Sequence, residues 1–522
     1  MRGNDQPAAV ESVPARATHV TAVNGTVAGG TAAVPSAGPE AGTSAGVPEA
    51  GTRAGVPEAG TRAGVPEAGT GAGVPEVGGV PEVAVGGVFP HPDARLIIAS
   101  EAVVLGAGEL ERRIVRTVEI LARLRPGPLF CGMRNNLASV LRYLAAFRSG
   151  RPVALLDPDL SPGILAELAG RFRPAALLGF THAADGSAPA RRDTPEPHPD
   201  LAVLLATSGS TGNPKLVRLS RQAVLANAAA IATALSITPD EVGPTSLPLH
   251  YSYGLSVLNS HLAAGATVML TEAGLLERSF WAHLDAHRCT SLAAVPYQYE
   301  MLRRLRYDRS EHPAIATLTQ AGGRLAPEVV TEFAAKADRF FVMYGQTEAT
   351  ARIAVLPPDR LADKLGSVGR AVPGGRLEID DGEVVYHGPN VMMGYAETAA
   401  DLARGDDLGG VLRTGDLGHV DAEGFLHLTG RLKRIAKIFG VRVNLDDVER
   451  LLRNTGPAAA TSGDDRVTVW AEGLDAAGCA GLARRLGAEL RLHWSGFDVR
   501  PIDRLPLLST GKVDYRSLEG RG

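Results

Sequence analysis

Between Leu201 and Lys215 the chain reads LAVLLATSGSTGNPK, an apolar run that empties into small hydroxyl and glycine residues and ends on a lysine. Leu201, Val203, Leu204 and Leu205 suit a strand covered on both faces. Thr207, Ser208, Gly209, Ser210, Thr211 and Gly212 then offer hydroxyls and unobstructed backbone N–H groups, the donors that wrap phosphate oxygens, and Lys215 adds a positive charge. The same composition would also serve a flexible Ser/Gly turn. The spacing is not the Walker pattern, because no glycine precedes Lys215 and Pro214 would distort the helix start that a P-loop needs there. Of 53 Lys plus Arg only six are lysines: Lys215, Lys336, Lys364, Lys433, Lys437 and Lys512. Arginine is the default cation of this chain, so a lysine kept at position 215 points to a compact, flexible point charge that a planar guanidinium cannot imitate.

Around this loop, 522 residues with 45% hydrophobic content leave room for two or three domains. A net charge of −4 gives no reason to expect a nucleic-acid or membrane partner. Cys131, Cys289 and Cys479 are too scattered for a disulfide framework or a clustered zinc site, and buried thiols in a reducing compartment are the expectation. With no apolar run of membrane-spanning length and no continuous hydrophobic segment at the N-terminus, the expected location is the cytoplasm.

Residues 1–88 contain no Phe, Trp or Tyr, and from Ala41 to Glu76 they repeat a nine-residue unit, AGTSAGVPE, AGTRAGVPE, AGTRAGVPE, AGTGAGVPE. Such a tract has little apolar surface to offset its ordering entropy, and units this small hardly supply a face to stack, so a disordered low-complexity tail is expected. The folded part should begin near Phe89. Leu110, Ile114, Val118 and Leu121 mark one helix face, a second helix runs from about Leu137 to Phe147, and a third opens at Ser161 and Pro162. Strands are expected at Pro152–Leu156, Thr267–Leu270 and Phe340–Met343, with a helix at Ala223–Leu235. That alternation implies α/β layers. Short strands and glycine-rich turns follow from about Asp380, and a smaller α+β segment follows Arg431.

Five further stretches accompany the loop: LPLHYSYG (247–254), MYGQTEA (343–349), RTGDLG (413–418), GRLKRIAKIFGVRVNLDDVE (430–449) and LPLLSTGKVDY (505–515). Together and in this order they resemble the acyl-adenylate-forming superfamily of acyl-CoA synthetases, nonribosomal-peptide adenylation domains and luciferases, over roughly Phe89 to Leu518. The resemblance implies a large multi-subdomain N-terminal adenylating domain at 89–432 and a small, mobile α+β C-terminal domain at 433–522.

It also implies roles. Thr207 to Lys215 would hold the ATP phosphates. Tyr344 would stack on adenine, followed by Gly345, with Thr347 at the α-phosphate and Glu348 as the magnesium carboxylate, a hard ligand of the kind Mg²⁺ takes beside phosphates. Asp416 would accept both ribose hydroxyls, a task suited to a carboxylate, and Arg431 would reach the same nucleotide. Gly322, Gly323 and Arg324, in QAGGRLAPE, would let backbone pass close to adenine. Lys433 occupies the hinge, and the hairpin after it, turning at Gly440, would line a pantetheine tunnel. Lys512 would meet the carboxylate oxygen and the α-phosphate as charge redistributes.

Two departures stand out: Tyr251 takes the place where many acyl-CoA synthetases have His, with His250 one position earlier, and RLHWSGFDVRPIDRLP replaces the usual acceptor-side segment. The acid pocket is expected at His250, Tyr251, Tyr253, Leu255, Tyr297 and Gln298. The amino-acid-activating members of the family that the chain resembles place an aspartate here for the substrate ammonium; in this chain no Asp or Glu occurs between Pro248 and Val268, and a buried cation without a partner is heavily penalised. The expected activity is an AMP-forming ligation of a carboxylic acid, with ATP and Mg²⁺, to CoA or to the phosphopantetheine of an acyl carrier protein. The rivals are a stand-alone amino-acid adenylation enzyme and a nucleotide-binding protein that has lost catalysis.

Overall fold

The computed structural model describes residues 89–183, 185–186, 195–206, 215–439, 441–452, 455–463, 466–508 and 511–521. The expected repeat tail, the phosphate-loop residues Thr207, Ser208, Gly209, Ser210, Thr211 and Gly212, and the hairpin glycine Gly440 lie outside the described residues.

A six-stranded sheet carries the strand that leads to the expected phosphate loop. Its order is Gly394–Ala396, Leu216–Ser220, Leu201–Ala206, Val153–Leu156, Leu129–Gly132 and Ala176–Leu178. The last four strands run parallel, and the first two are antiparallel to their neighbours. Side chains alternate between two cores with the strand period of two, except where a register shift between Leu201 and Val203 resets it. Val153, Leu155, Val203 and Leu205 enter one, and Ala154, Leu156, Leu201 and Leu204 enter the other. This double burial is why the sequence reads as an unbroken apolar run there.

Local signals set the flanking helices. Asn136 accepts from the backbone N–H of Ser139 at the start of Leu137–Arg148, Ser161 caps Pro162–Phe172 with proline in the first turn, and Ser220 caps Arg221–Leu235. A second sheet orders Ser291–Ala294, Thr317–Gln320, Arg339–Tyr344, Ala354–Leu356 and Arg370–Ala371, with its first three strands parallel. The expected Thr267–Leu270 strand lies in a third sheet beside Arg95–Ile98. An antiparallel sheet of Arg376–Asp380, Glu383–His387, Val411–Val420 and Leu426–Arg431 accounts for the short strands after Asp380.

Beyond Arg431 the hairpin Ile435–Ile438 and Val441–Asn444 leads into a lobe with a core of its own. Val467, Val469, Leu482, Leu486 and Phe497 fill it, between the sheet Ala458–Gly463, Arg466–Glu472, Phe497–Ile502 and the helix Ala476–Leu490. Cys131, Cys289 and Cys479 are buried free thiols, and burial pushes the Cys131 thiol up to about 12, out of reactive range. Among the described residues no helix is long and apolar enough to cross a membrane.

Candidate active site

Tyr344 ends its strand, and the chain turns so tightly at Gly345 that a Cβ there would collide with the Ala351 carbonyl. The turn leaves Tyr344 buried, with its hydroxyl donating to Asp416 Oδ2 at 2.5 Å. Strand pairing sets Asp416 opposite Arg431, and the Arg431 Nε stands 2.7 Å from Asp416 Oδ1. Burial and the neighbouring carboxylate hold the Tyr344 phenol well above its ordinary range, so it remains a donor. Asp416 in turn raises the Arg431 guanidinium. An ionised carboxylate has about four lone-pair sites. With one Tyr and one Arg donor bound, capacity remains for the two hydroxyls of a ribose.

Thr347 and Glu348 follow on a short 3-10 turn, with the Thr347 hydroxyl 3.3 Å from Ser252 Oγ. Half-buried Glu348 accepts at Oε1 from the Tyr395 hydroxyl, 2.7 Å away. Tyr395 was not among the residues expected from the sequence. It lies on the edge strand Gly394–Ala396, paired with Leu216–Ser220, and so stands beside Lys215. The Lys215 ammonium lies 6.0 Å from the Tyr395 ring and pairs with Glu397 at 2.7 Å. Tyr395 thus connects Lys215, at the end of the expected phosphate loop, to the candidate magnesium carboxylate. Among the described residues no group of three or more His, Cys, Asp or Glu could hold a metal ion. A single carboxylate fits Mg²⁺, which takes one or two protein carboxylates and completes its shell with phosphate and water oxygens.

The small lobe reaches this same place. Lys512 stands with its ammonium 5.5 Å over the Tyr251 ring. Burial lowers its pKa from the ordinary lysine value, Arg431 lowers it further, and the Glu348 and Asp416 carboxylates oppose both. Lys512 therefore shares one electrostatic neighbourhood with Arg431, Glu348 and Asp416, although even Arg431, the nearest of them in the chain, lies 81 positions earlier. Gly511, at φ +75°, brings this loop against the wall: a Cβ on it would lie 3.3 Å from Val295 and 3.5 Å from Tyr297. Arg504 of the small lobe donates to the Tyr297 hydroxyl at 3.2 Å. Lys433 is exposed in the 3-10 turn Leu432–Arg434, between the last strand of the antiparallel sheet and the hairpin.

The remaining expected residues divide between the wall and the core. Gly322, at φ +87°, faces the Tyr251 hydroxyl so closely that a Cβ would stand 2.5 Å from it. Burial pushes the Tyr251 phenol up to about 12. Gly323 accepts at its carbonyl from Gln320, while Arg324 is exposed. Tyr253 is buried, its hydroxyl bonded to Thr319 at 2.8 Å. His250 turns toward Asp157, with Nε2 3.7 Å from Oδ2, and burial lowers its pKa. Gln298 spends both ends of its amide on the backbone, accepting from Val295 N–H and donating to the Ser246 carbonyl.

The profile of the AMP-binding enzyme family matches residues 91–396. The sulfoacetate–CoA ligase of Cupriavidus necator is 30% identical over 455 residues, covering 79% of this chain and 88% of that enzyme. The oxalate–CoA ligase of Arabidopsis thaliana is 31% identical over 272 residues, which span 49% of this chain and about half, 53%, of that protein. In structure the chain is similar to the o-succinylbenzoate CoA synthetase of Bacillus subtilis in complex with its acyl-adenylate intermediate, at a TM-score of 0.66 and 24% identity over 81% of this chain and 94% of that one. The family match over more than half the sequence, the near full-length relative and the shared fold lead to one assignment: the chain belongs to the AMP-binding enzyme family, within the acyl-adenylate-forming superfamily of AMP-forming ligases.

Proposed function

We propose that this enzyme joins a carboxylic acid to a thiol in two transfers. A carboxylate oxygen attacks the α-phosphorus of ATP and pyrophosphate leaves. The thiol sulfur then attacks the acyl carbon of the adenylate, its proton passes to solvent, and AMP leaves. Splitting the condensation this way replaces one difficult step with two easier ones. The observation that carries the reading is the position of Lys512, over Tyr251 and in the field of Glu348, Asp416 and Arg431. An ammonium there meets negative charge as it passes from the carboxylate to the bridging oxygen.

In this reading Asp416, Tyr344 and Arg431 hold the nucleoside, the loop 207–212 and Lys215 hold the phosphates, and Glu348, oriented by Tyr395, holds magnesium. Bound there, Mg²⁺ would neutralise phosphate charge. Residues 89–432 act as the large domain and 433–522 as the small one, which turns about Lys433 between the two steps. The thiol is CoA, as the names of the relatives support; carrier-protein phosphopantetheine is the alternative acceptor. Substrates of this kind and the three buried free thiols support a cytoplasmic location.

The acid carries no α-ammonium. The stretch between Pro248 and Val268 has no carboxylate to receive one, and the guanidinium of Arg352, 4.7 Å from the Tyr253 ring, would repel it. ATP–pyrophosphate exchange with matched pairs, each acid beside its α-amino analogue, tests this. Faster exchange with the amino acids would promote the amino-acid-activating rival. ATP binding without exchange for any acid would promote the degenerate one.

A further inference from the structure

Below Tyr253 the helix Ser252–Ala263 and the strands Ser291–Ala294, Thr317–Gln320 and Arg339–Tyr344 enclose a cavity of about 30 Å³. Tyr253, Ser256, His261, Thr319, Met343 and Arg352 line it.

Arg352 is 2% exposed and forms no ion pair among the described residues. Its backbone is clamped. Asn227 donates to the Arg352 carbonyl at 3.0 Å and Asn390 does so at 2.9 Å, while Arg352 N–H donates to Asn227 Oδ1 at 3.3 Å. The guanidinium, by contrast, is poorly satisfied. It stacks 4.7 Å over the Tyr253 ring and reaches Ser256 Oγ only at 3.5 Å, and its Nε has no partner. The one acid lining the cavity among the described residues, Glu241, is already paired with Arg339 at 2.8 Å.

His261 adds a second open atom. Its Nδ1 lies 2.9 Å from the Val257 carbonyl and so carries the proton, which leaves Nε2 as an unpartnered acceptor. Burial brings the ring down to about 4, so it is neutral and does not compete for an anion.

Arginine does not shed its proton in proteins, and a buried charge without a counter-charge is among the costliest arrangements a fold can hold. A water would fit the cavity and satisfy hydrogen bonds, but it would leave the charge uncompensated. We infer that Arg352 is a specificity residue that receives a second anionic group at the far end of the acid, and that the substrate class is compact acids with an anion at each end.

Contacts between rings lead from one cation to the other. Lys512 lies over Tyr251, the Tyr251 and Tyr253 rings stand 6.3 Å apart, and Arg352 lies over Tyr253. The reacting carboxylate would sit by Lys512 and the distal anion by Arg352. The inference rests on the proposed adenylation for the role of the reacting carboxylate.

The test uses the full chain and the series malonate, succinate, glutarate and adipate, each beside its half-amide and the monocarboxylate of equal length. Pyrophosphate exchange is read alongside calorimetric binding, which needs no turnover. The best dicarboxylate should exceed its half-amide by roughly tenfold to a hundredfold, the range of one charge-assisted contact. In Arg352→Met that ratio should collapse toward one through a raised KM for the dicarboxylate, and Arg352→Lys should restore part of it, with Tm confirming that both variants fold. Wild-type protein that handles monocarboxylates as well as dicarboxylates would overturn the inference. So would an Arg352→Met loss equal for every acid, which marks a structural stack on Tyr253 with an ordered water only in the cavity. If no acid supports exchange, the adenylation reading fails by itself. Calorimetry then still decides this one, since dicarboxylate binding that is absent, or unchanged in Arg352→Met, contradicts it.

Discussion

Replacing Lys512 by alanine removes the ammonium that the small lobe suspends over Tyr251 and leaves untouched Tyr344, Asp416 and Arg431, the residues proposed to hold the nucleoside. Loss of one preorganised donor aimed at developing charge costs roughly a hundredfold to a thousandfold in rate. Adenylation, followed as acid-dependent ATP–pyrophosphate exchange, should fall by that amount. Thioester formation from synthetic acyl-adenylate should fall far less if Lys512 acts, as proposed, on the first transfer. The pH profile provides a second signature. Burial and Arg431 hold the Lys512 pKa below the ordinary lysine value of 10.5, and the protonated form is the useful one. Adenylation by the wild-type enzyme should therefore decline as pH rises through that lowered pKa, at a pH below that of a free lysine, and Lys512→Ala should lack this alkaline limb. Equal losses in both half-reactions, or an alkaline limb that survives in the variant, would refute the reasoning.

Lys433→Pro should do the reverse of Lys512→Ala: proline fixes φ in the turn between the lobes, so exchange should persist while thioester formation slows, as rapid-quench separation of the two steps would show. Asp416→Asn weakens the proposed acceptor for the ribose and removes the charge that pairs Arg431. ATP affinity by calorimetry should fall by roughly tenfold to a hundredfold, the worth of a charge-assisted hydrogen bond, and unchanged affinity would remove Asp416 from the nucleotide site. Gly345→Ala forces a Cβ into the Ala351 carbonyl and must move backbone at the end of the Tyr344 strand. A lowered Tm together with weakened nucleotide binding is expected, and wild-type values for both would contradict the close approach.

The motifs were legible because each is a continuous stretch whose residue types suit one task. YGQTE, TGD and STGK are short and weak singly, and it is their order along the chain that carries the family resemblance, while the buried Leu201–Ala206 strand shows itself as an unbroken apolar run. Capping residues at Asn136, Ser161 and Ser220 likewise act locally. Tyr395 had no such signal. Its place beside Glu348 depends on an edge strand pairing with Leu216–Ser220, more than 170 residues earlier, and a single sequence does not display that register. Arg352 was hidden for a related reason. In ATARIAV it reads as one of many arginines, and only Asn227 and Asn390, from distant parts of the chain, turn it into a buried cation beside Tyr253. Gln298 and His250 show the converse: both lie in stretches that suggest a pocket, yet one caps a helix and the other turns toward Asp157.

Products formed from α-phosphate-labelled ATP test the central claim most directly. Incubated with the preferred acid, Mg²⁺ and CoA, the enzyme should release labelled AMP, not ADP, in step with a CoA thioester of matching mass, and omission of the acid should stop both. Labelled ADP, or AMP released without the acid, would contradict the account.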